Sequence, residues 1–257
     1  MAPPLLRVVE NHAWSYRRVW KGSVITSFAN PVLFLMSMGM GMGTLVDRSV
    51  GTGLGGTSYL AFLAPGLLVA TAMQVAAAES SWRVMGAIKW QKTYHAALAT
   101  PVSAGDLASG HLAWVGVRLL MSGVVFAAVM ALFGAASIGH ALLAVAPAVL
   151  TGLAFAAAIT AFSASLENDY LISGLFRFVI VPMFLFSGTF FPVSQLPAWA
   201  QVVAYITPLW HGVELARAAA LGWSTTLGPL VHIAYVAAWV VVGWVIAVWR
   251  FRVRLVT

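Results

Sequence analysis

Residues 59–78 read YLAFLAPGLLVATAMQVAAA, an uncharged and almost wholly apolar run lying between Ser58 and Glu79. The hydrocarbon core of a bilayer takes about 20 such residues in helical form. The stretch is therefore a membrane span, with Pro65-Gly66 as its expected kink. Its surroundings exclude the other reading, a buried helix inside a soluble domain. Of the 257 residues, 61% are hydrophobic and only 8% are charged. A soluble domain surrounds its core with a charged shell of roughly a quarter of its residues, and this chain has no means to build one. Its solvent is mostly lipid.

Working outward from that run, five more apolar stretches predict a bundle of six transmembrane helices, an all-α integral membrane fold in one permease domain, 1–257. The first span covers 24–45 and carries Asn30-Pro31, which kinks it or delays its regular start. The third covers 112–134, the fourth 141–162, the fifth 171–187 and the sixth 229–249. Residues 47–58 are polar and glycine-rich, hence a loop. Residues 188–228 are apolar in pieces but broken by Pro192, Pro197 and Pro208. Two short helices, 197–206 and 209–221, are expected there, dipping into one leaflet. Broken backbone at that depth needs protein or a wet cavity beside it.

Charge sets the topology. Arg7, Arg17, Arg18, Lys21, Arg83, Lys89, Lys92, Arg250, Arg252 and Arg254 all fall on one side of a six-span arrangement and make up most of the 14 Lys and Arg. The positive-inside rule places that side, with both termini, in the cytoplasm of a bacterial inner membrane. The net charge of +7 is thus a topology signal and not a nucleic-acid footprint. Residues 5–21 mix Trp14, Tyr16 and Trp20 with these cations, the pattern of an amphipathic helix at the membrane surface; a solvated tail is the alternative. The N-terminus lacks the continuous apolar core and cleavage site of a signal peptide.

Several chemistries are excluded. Zero cysteines leave no thiol nucleophile, disulfide or thiolate metal site. Residues 51–56 satisfy G-x-G-x-x-G, but no strand precedes them, so they read as a flexible loop. No Gly-Lys dipeptide exists, hence no Walker A phosphate loop; if ATP drives this protein, another chain binds it. No H-E-x-x-H or Ser–His–acid arrangement stands out, and His111 and His211 read as interfacial histidines. No catalytic residue, cofactor ligand or metal ligand is assigned. Gly39 and Gly43 form G-x-x-x-G, which permits close helix approach either within one subunit or between two. Glu79, Arg118 and Arg177 lie in or at the ends of spans, where charge is costly and faces an interface, protein or water.

The interval 80–110 is the longest polar one. Residues 81–99 are rich in helix formers and carry Trp82, Arg83, Lys89, Trp90, Lys92 and Tyr94. Thr100-Pro101 stops this helix, and Ser103 with Asp106 forms a capping box that starts the next. Exposed aromatics and cations on such a helix point to a partner protein; a membrane-surface helix without a partner is the alternative.

Two sets of residues resemble a known family. One is Leu98-Ala99-Thr100-Pro101-Val102-Ser103. The other, more specific, is Phe186-Ser187-Gly188-Thr189-Phe190-Phe191-Pro192, followed by Leu196-Pro197, Thr207-Pro208-Leu209, Glu214 and Arg217. Over nearly its whole length the chain resembles the membrane subunits of type-2 ABC exporters, the family of daunorubicin-type drug, nodulation-factor and polysaccharide exporters. The resemblance implies a dimer with an identical or related membrane subunit, carried by two separate ATPase subunits that bind ATP and magnesium. It implies that the helix before Thr100 is a coupling helix seated in the ATPase, through Trp82, Arg83, Lys89, Trp90, Lys92 and Tyr94. It implies that 188–221 forms re-entrant helices closing the outer mouth. Arg118, Arg177, Phe186, Phe190, Phe191, Pro192, Glu214 and Arg217 are then the candidates for the translocation path or outer gate. The expected protein is a permease and not itself an enzyme. It exports an amphipathic lipid, glycolipid or drug-like cargo and touches membrane lipid but no nucleic acid. The alternative is a small secondary transporter or channel driven by an ion gradient. That reading calls for ionisable residues deep in several spans, and Arg118 and Arg177 are few.

Overall fold

The computed structural model describes residues 3–18, 20–50 and 56–256. Among the described residues every regular element is helical, as the composition requires. Among the described residues four helices are long and apolar enough to cross a membrane: Tyr59–Trp90, Ala104–Leu132, Ile138–Ser165 and Pro229–Val256. A further apolar helix, Tyr170–Phe186, is shorter.

The N-terminal helix α1 (Pro4–Tyr16) starts with Pro4 in its first turn, where a missing N–H costs nothing. The predicted first span is a longer run. Helix α2 (Trp20–Phe34) holds Pro31 within it and passes through a π-helical stretch, Leu35–Met42, into α3 (Gly43–Val50). The helix thus extends past the expected loop start at Asp47, as far as Val50. Asp47 accepts a hydrogen bond from the backbone N–H of Tyr59 at 2.8 Å, so it anchors the start of the next helix. The glycine motif falls mainly on 51–55, outside the described residues.

Helix α4 (Tyr59–Ser80) runs through Pro65 without a break. Gly66 marks a close approach: a Cβ there would meet the backbone of Thr189 at 3.2 Å. Beyond it the interval 81–99 is mostly helical, as expected, but not in one piece. It comprises α5 (Trp82–Met85), a π-helical turn Gly86–Trp90, and α6 (Thr93–Leu98). The single helix expected over 81–99 is therefore divided. Lys92, at φ 53, lies in the left-handed region and turns the chain between the two halves. The capping box is present: Ser103 and Asp106 satisfy each other's backbone N–H at the start of α7 (Ala104–Leu132).

Helix α9 (Val145–Ser165), preceded by the short α8 (Ile138–Leu143), forms the centre and packs against α4, α7 and the last helix, α14 (Pro229–Val256). Small residues set these distances. A Cβ at Gly243 of α14 would lie 2.8 Å from the backbone of Ala158, and one at Gly152 would lie against Leu119. Lipid supplies no hydrophobic force between helices, so close backbone contact carries the association. Gly39 belongs to this set. Its missing Cβ is filled by Leu60 of the same chain, so the motif serves packing within the subunit.

The fifth apolar helix consists of α10 (Tyr170–Leu175), a π-helical turn Phe176–Ile180 and α11 (Val181–Phe186). After the turn at Gly188 (φ +83) come α12 (Ala198–Ile206) and α13 (Pro208–Leu221), within a residue of the expected pair. They differ in environment. Leu209, Val213 and Ala216 of α13 are fully buried, whereas Trp199, Val202, Val203 and Ile206 of α12 are exposed.

Candidate functional site

The chemistry-bearing residues gather at two places along α4. At its C-terminal end, Arg118 of α7 points Nε at Glu79 Oε1 (3.4 Å), and Arg83 makes an ion pair with Glu79 Oε2 (2.9 Å). Arg118 Nη1 donates to the Tyr16 hydroxyl at 2.7 Å, and its guanidinium lies 4.4 Å from the Tyr16 ring centroid. Glu79 and Arg118 are both buried. A buried carboxylate is tolerated when it is paired, and two arginines supply that here. The outcome is one connected chain of groups from α1 through α7 and α4 into α5. Tyr16 was legible only as part of an amphipathic pattern. The spacing of four over Val8, His12 and Tyr16 is the signal that they share one face. His12 stacks on Trp114, and burial, helped by Arg83, pushes it down to about 4.

The segment after Glu79 has two faces. Val84 to Ile88 are buried; Trp82, Arg83, Lys89, Trp90 and Lys92 are exposed. The Trp82 and Trp90 rings stack at 6.5 Å between centroids, exposed 41% and 54%. Tyr94, expected as an outward anchor, is buried instead. It packs on Phe251 at 5.5 Å, near Leu107, and burial pushes its hydroxyl's pKa up. Its direction changes because Lys92 breaks the helical phase on which the expectation rested. Lys89 Nζ donates to the Glu167 carbonyl at 2.6 Å and ties this segment to the connection after α9. Between α1 and this segment lies a groove of about 920 Å³, lined by Arg7, His12, Trp82, Arg83, Trp90 and Tyr94 among others.

Near the N-terminal end of α4, Arg217 of α13 is buried. Its Nε donates to the Phe62 carbonyl (3.2 Å), and its Nη2 donates to Gly188 (2.6 Å) and Thr189 (3.3 Å) carbonyls. Tyr59 donates its hydroxyl to the next carbonyl, Phe190, at 3.2 Å. Three consecutive carbonyls of the turn after α11 are thus held by side chains. Glu214 does not pair with Arg217; its Oε2 accepts from the N–H and hydroxyl of Thr226. Phe190 packs on Phe184 at 5.2 Å and Phe186 on Phe191 at 6.4 Å. Phe62, Pro192, Tyr205, Glu214, Arg217 and Trp223 contribute to a cleft of about 560 Å³. Arg177 joins neither cluster and is exposed on the π-helical turn of the fifth apolar helix.

The ABC-2 type transporter family model matches residues 5–221. The chain belongs to the ABC-2 type transporter family. It is 32% identical over 253 residues to Nodulation protein J of Rhizobium leguminosarum bv. viciae, covering 97% of this chain and 94% of that one. Nodulation protein J of Rhizobium meliloti (strain 1021) is 33% identical over 236 residues, 86% of this chain and 85% of that one. The Inner membrane transport permease YadH of Escherichia coli (strain K12) is 24% identical over 236 residues, 89% and 88% of the two chains. This ABC-2 permease is a multi-pass membrane transport protein. The matched region contains the charged residues of both clusters and ends before Trp223, Thr226 and α14.

Proposed function

We propose that this permease is the transmembrane subunit of an ATP-driven exporter in the bacterial inner membrane, one permease domain of six crossings with both termini cytoplasmic. In this reading a separate ATPase subunit binds ATP and magnesium and docks on the face bearing Trp82 and Trp90. The cargo is an amphipathic lipid, glycolipid or drug-like molecule. The observation that carries the reading is the pairing of an exposed tryptophan stack with a rigid mount. The same segment that presents Trp82 and Trp90 is fastened inward by Arg83 to Glu79 and by Tyr94 to Phe251. Force applied at the tryptophans reaches α4, α7 and α14 without passing through a flexible loop.

The test is Trp90→Ala in the reconstituted complex. A few buried aromatics dominate a typical interface, so ATPase binding is expected to weaken by about 1 to 4 kcal/mol, with transport lost and membrane insertion retained. Unchanged ATPase co-purification in Trp82→Ala/Trp90→Ala overturns the docking face. Topology is tested separately. A periplasmic reporter fused after Thr257 is expected to be inactive, and cysteines at Gln195 and Trp223 to be labelled from outside.

The second membrane subunit is expected along α2–α3 and the fifth apolar helix. Phe34 and Phe184 bring these helices together within one chain at 6.0 Å, and Leu33, Met36, Phe178 and Val181 leave apolar surface uncovered. Gly39, occupied by Leu60, contributes nothing to that seam. Cysteine pairs at the four uncovered positions are expected to crosslink between chains; a monomeric, active complex refutes the seam.

A further inference from the structure

His211 of α13 and His232 of α14 face each other with their Nδ1 atoms 2.8 Å apart, and both residues are buried. For a neutral pair, the hydrogen-bond pattern assigns the protons. His211 Nε2 is 3.1 Å from the Tyr205 carbonyl oxygen, which only accepts, so His211 carries its proton on Nε2. Its Nδ1 is then an acceptor, and His232 donates from Nδ1. That leaves His232 Nε2 without a proton, buried and without a partner. Tyr235 stacks on His211 at 4.1 Å and donates its hydroxyl to the Ile206 carbonyl, while Trp210 packs against both imidazoles at 4.9 and 5.2 Å.

We propose that this pair is a proton-sensitive latch between the short helix α13 and the last long helix, closed when both imidazoles are neutral and released when the pair takes up protons. A proton added at His232 Nε2 creates a buried N–H with no acceptor. A proton added at His211 Nδ1 sets N–H against N–H and removes the only hydrogen bond joining the two side chains. Both positions therefore oppose protonation of the closed form, and the open form takes it up.

The surrounding groups do little to cancel this. On α13 itself, Glu214 favours a cation, but its Oε2 is engaged by Thr226; Arg217, six residues on, opposes one. Helix α12 offers Tyr205, α8 offers His140, α14 offers Tyr235 and, about five turns on, Arg250, and α4 offers Tyr59 together with Glu79, a carboxylate already paired with Arg83 and Arg118. Helix α9 has no titratable side chain. Helix α7, which carries Asp106, His111 and Arg118, meets α14 at Trp244 through Ser109, about three turns from His232. In the proposed topology the latch lies on the outer side and responds to external pH, but its existence does not depend on that topology.

The test uses the whole chain in detergent micelles, where both faces are open to buffer. Hydrogen exchange is read by mass spectrometry in peptides covering 198–221 and corrected for the intrinsic pH dependence. From about pH 7.5 to about pH 5, where histidine changes charge, wild-type protection is expected to fall about tenfold, the effect of losing one buried hydrogen bond. His211→Gln and His232→Gln are each expected to be flat over that range, whatever their starting level. Tyr235→Phe, which keeps both imidazoles, is expected to titrate as wild type does. A flat wild type, or a histidine variant that titrates like wild type, overturns the latch. If one variant does not fold, the other decides.

Discussion

Arg118 and Arg217 are both buried, yet opposite chemistries hold them. Arg118 meets a carboxylate and a phenol, Glu79 and Tyr16, side chains from two other helices. Arg217 meets carbonyl oxygens of Phe62, Gly188 and Thr189. Their anchor points on α4, Glu79 and Phe62, are about 25 Å apart along the helix. A side-chain network between helices can trade partners, as the second arginine on Glu79 illustrates. A clamp on backbone carbonyls has no second charged side chain to exchange, because peptide oxygens stay where the chain puts them. The first arrangement suits an end that receives motion. The second suits an end that must hold one irregular turn in place.

Four substitutions sharpen or break this contrast, with stability followed by thermal unfolding of the purified protein. Arg217→Ala is expected to be the most damaging, about 3 kcal/mol, since it leaves buried carbonyls unsatisfied. A loss within about 0.5 kcal/mol would show that water replaces the guanidinium there. Arg118→Ala is expected to cost less, about 2 kcal/mol, because Arg83 still neutralises Glu79 when the buried pair is broken. If it matches Arg217→Ala, the exchangeable-network account fails. Tyr16→Phe removes one hydrogen bond to a charged group but keeps the ring under Arg118, and about 1 kcal/mol is expected. The decisive readout is protease sensitivity of α1, which should rise without change elsewhere. Lys92→Ala is expected to stay within about 0.5 kcal/mol, since both residues bear a Cβ in the left-handed region and the amino group is exposed. A larger loss would show that the Lys92 side chain itself holds the turn between the two halves of the segment.

What the sequence discloses follows from the range of the interaction. The capping box at Ser103 and Asp106 spans three residues and is present as read. Long apolar runs depend on composition alone, so the four long helices cover their expected spans and the two short ones, α12 and α13, lie within a residue of theirs, while the long helices overrun where less apolar residues continue them, to Trp90 in one case and back to Ala104 in another. The meeting of Glu79 with Arg118 spans 39 positions and depends on which faces of α4 and α7 touch, so only the oddity of buried charge was visible. Arg217 was legible as a motif residue, but its carbonyl partners carry no side-chain signature and its task was not. Tyr94 was misdirected by one backbone angle at Lys92, which no propensity argument supplies.

The seat of Gly243 against Ala157 and Ala158 also sets a clock. Helix α9 is complete at Ser165, but the glycine that closes against it is made almost eighty residues later. At about 5 to 20 residues per second, the alanine face of α9 waits several seconds beside the ribosome before its partner exists. During that interval the nascent permease exposes small-residue surface in the bilayer, and whatever shields it then is part of how this protein is made.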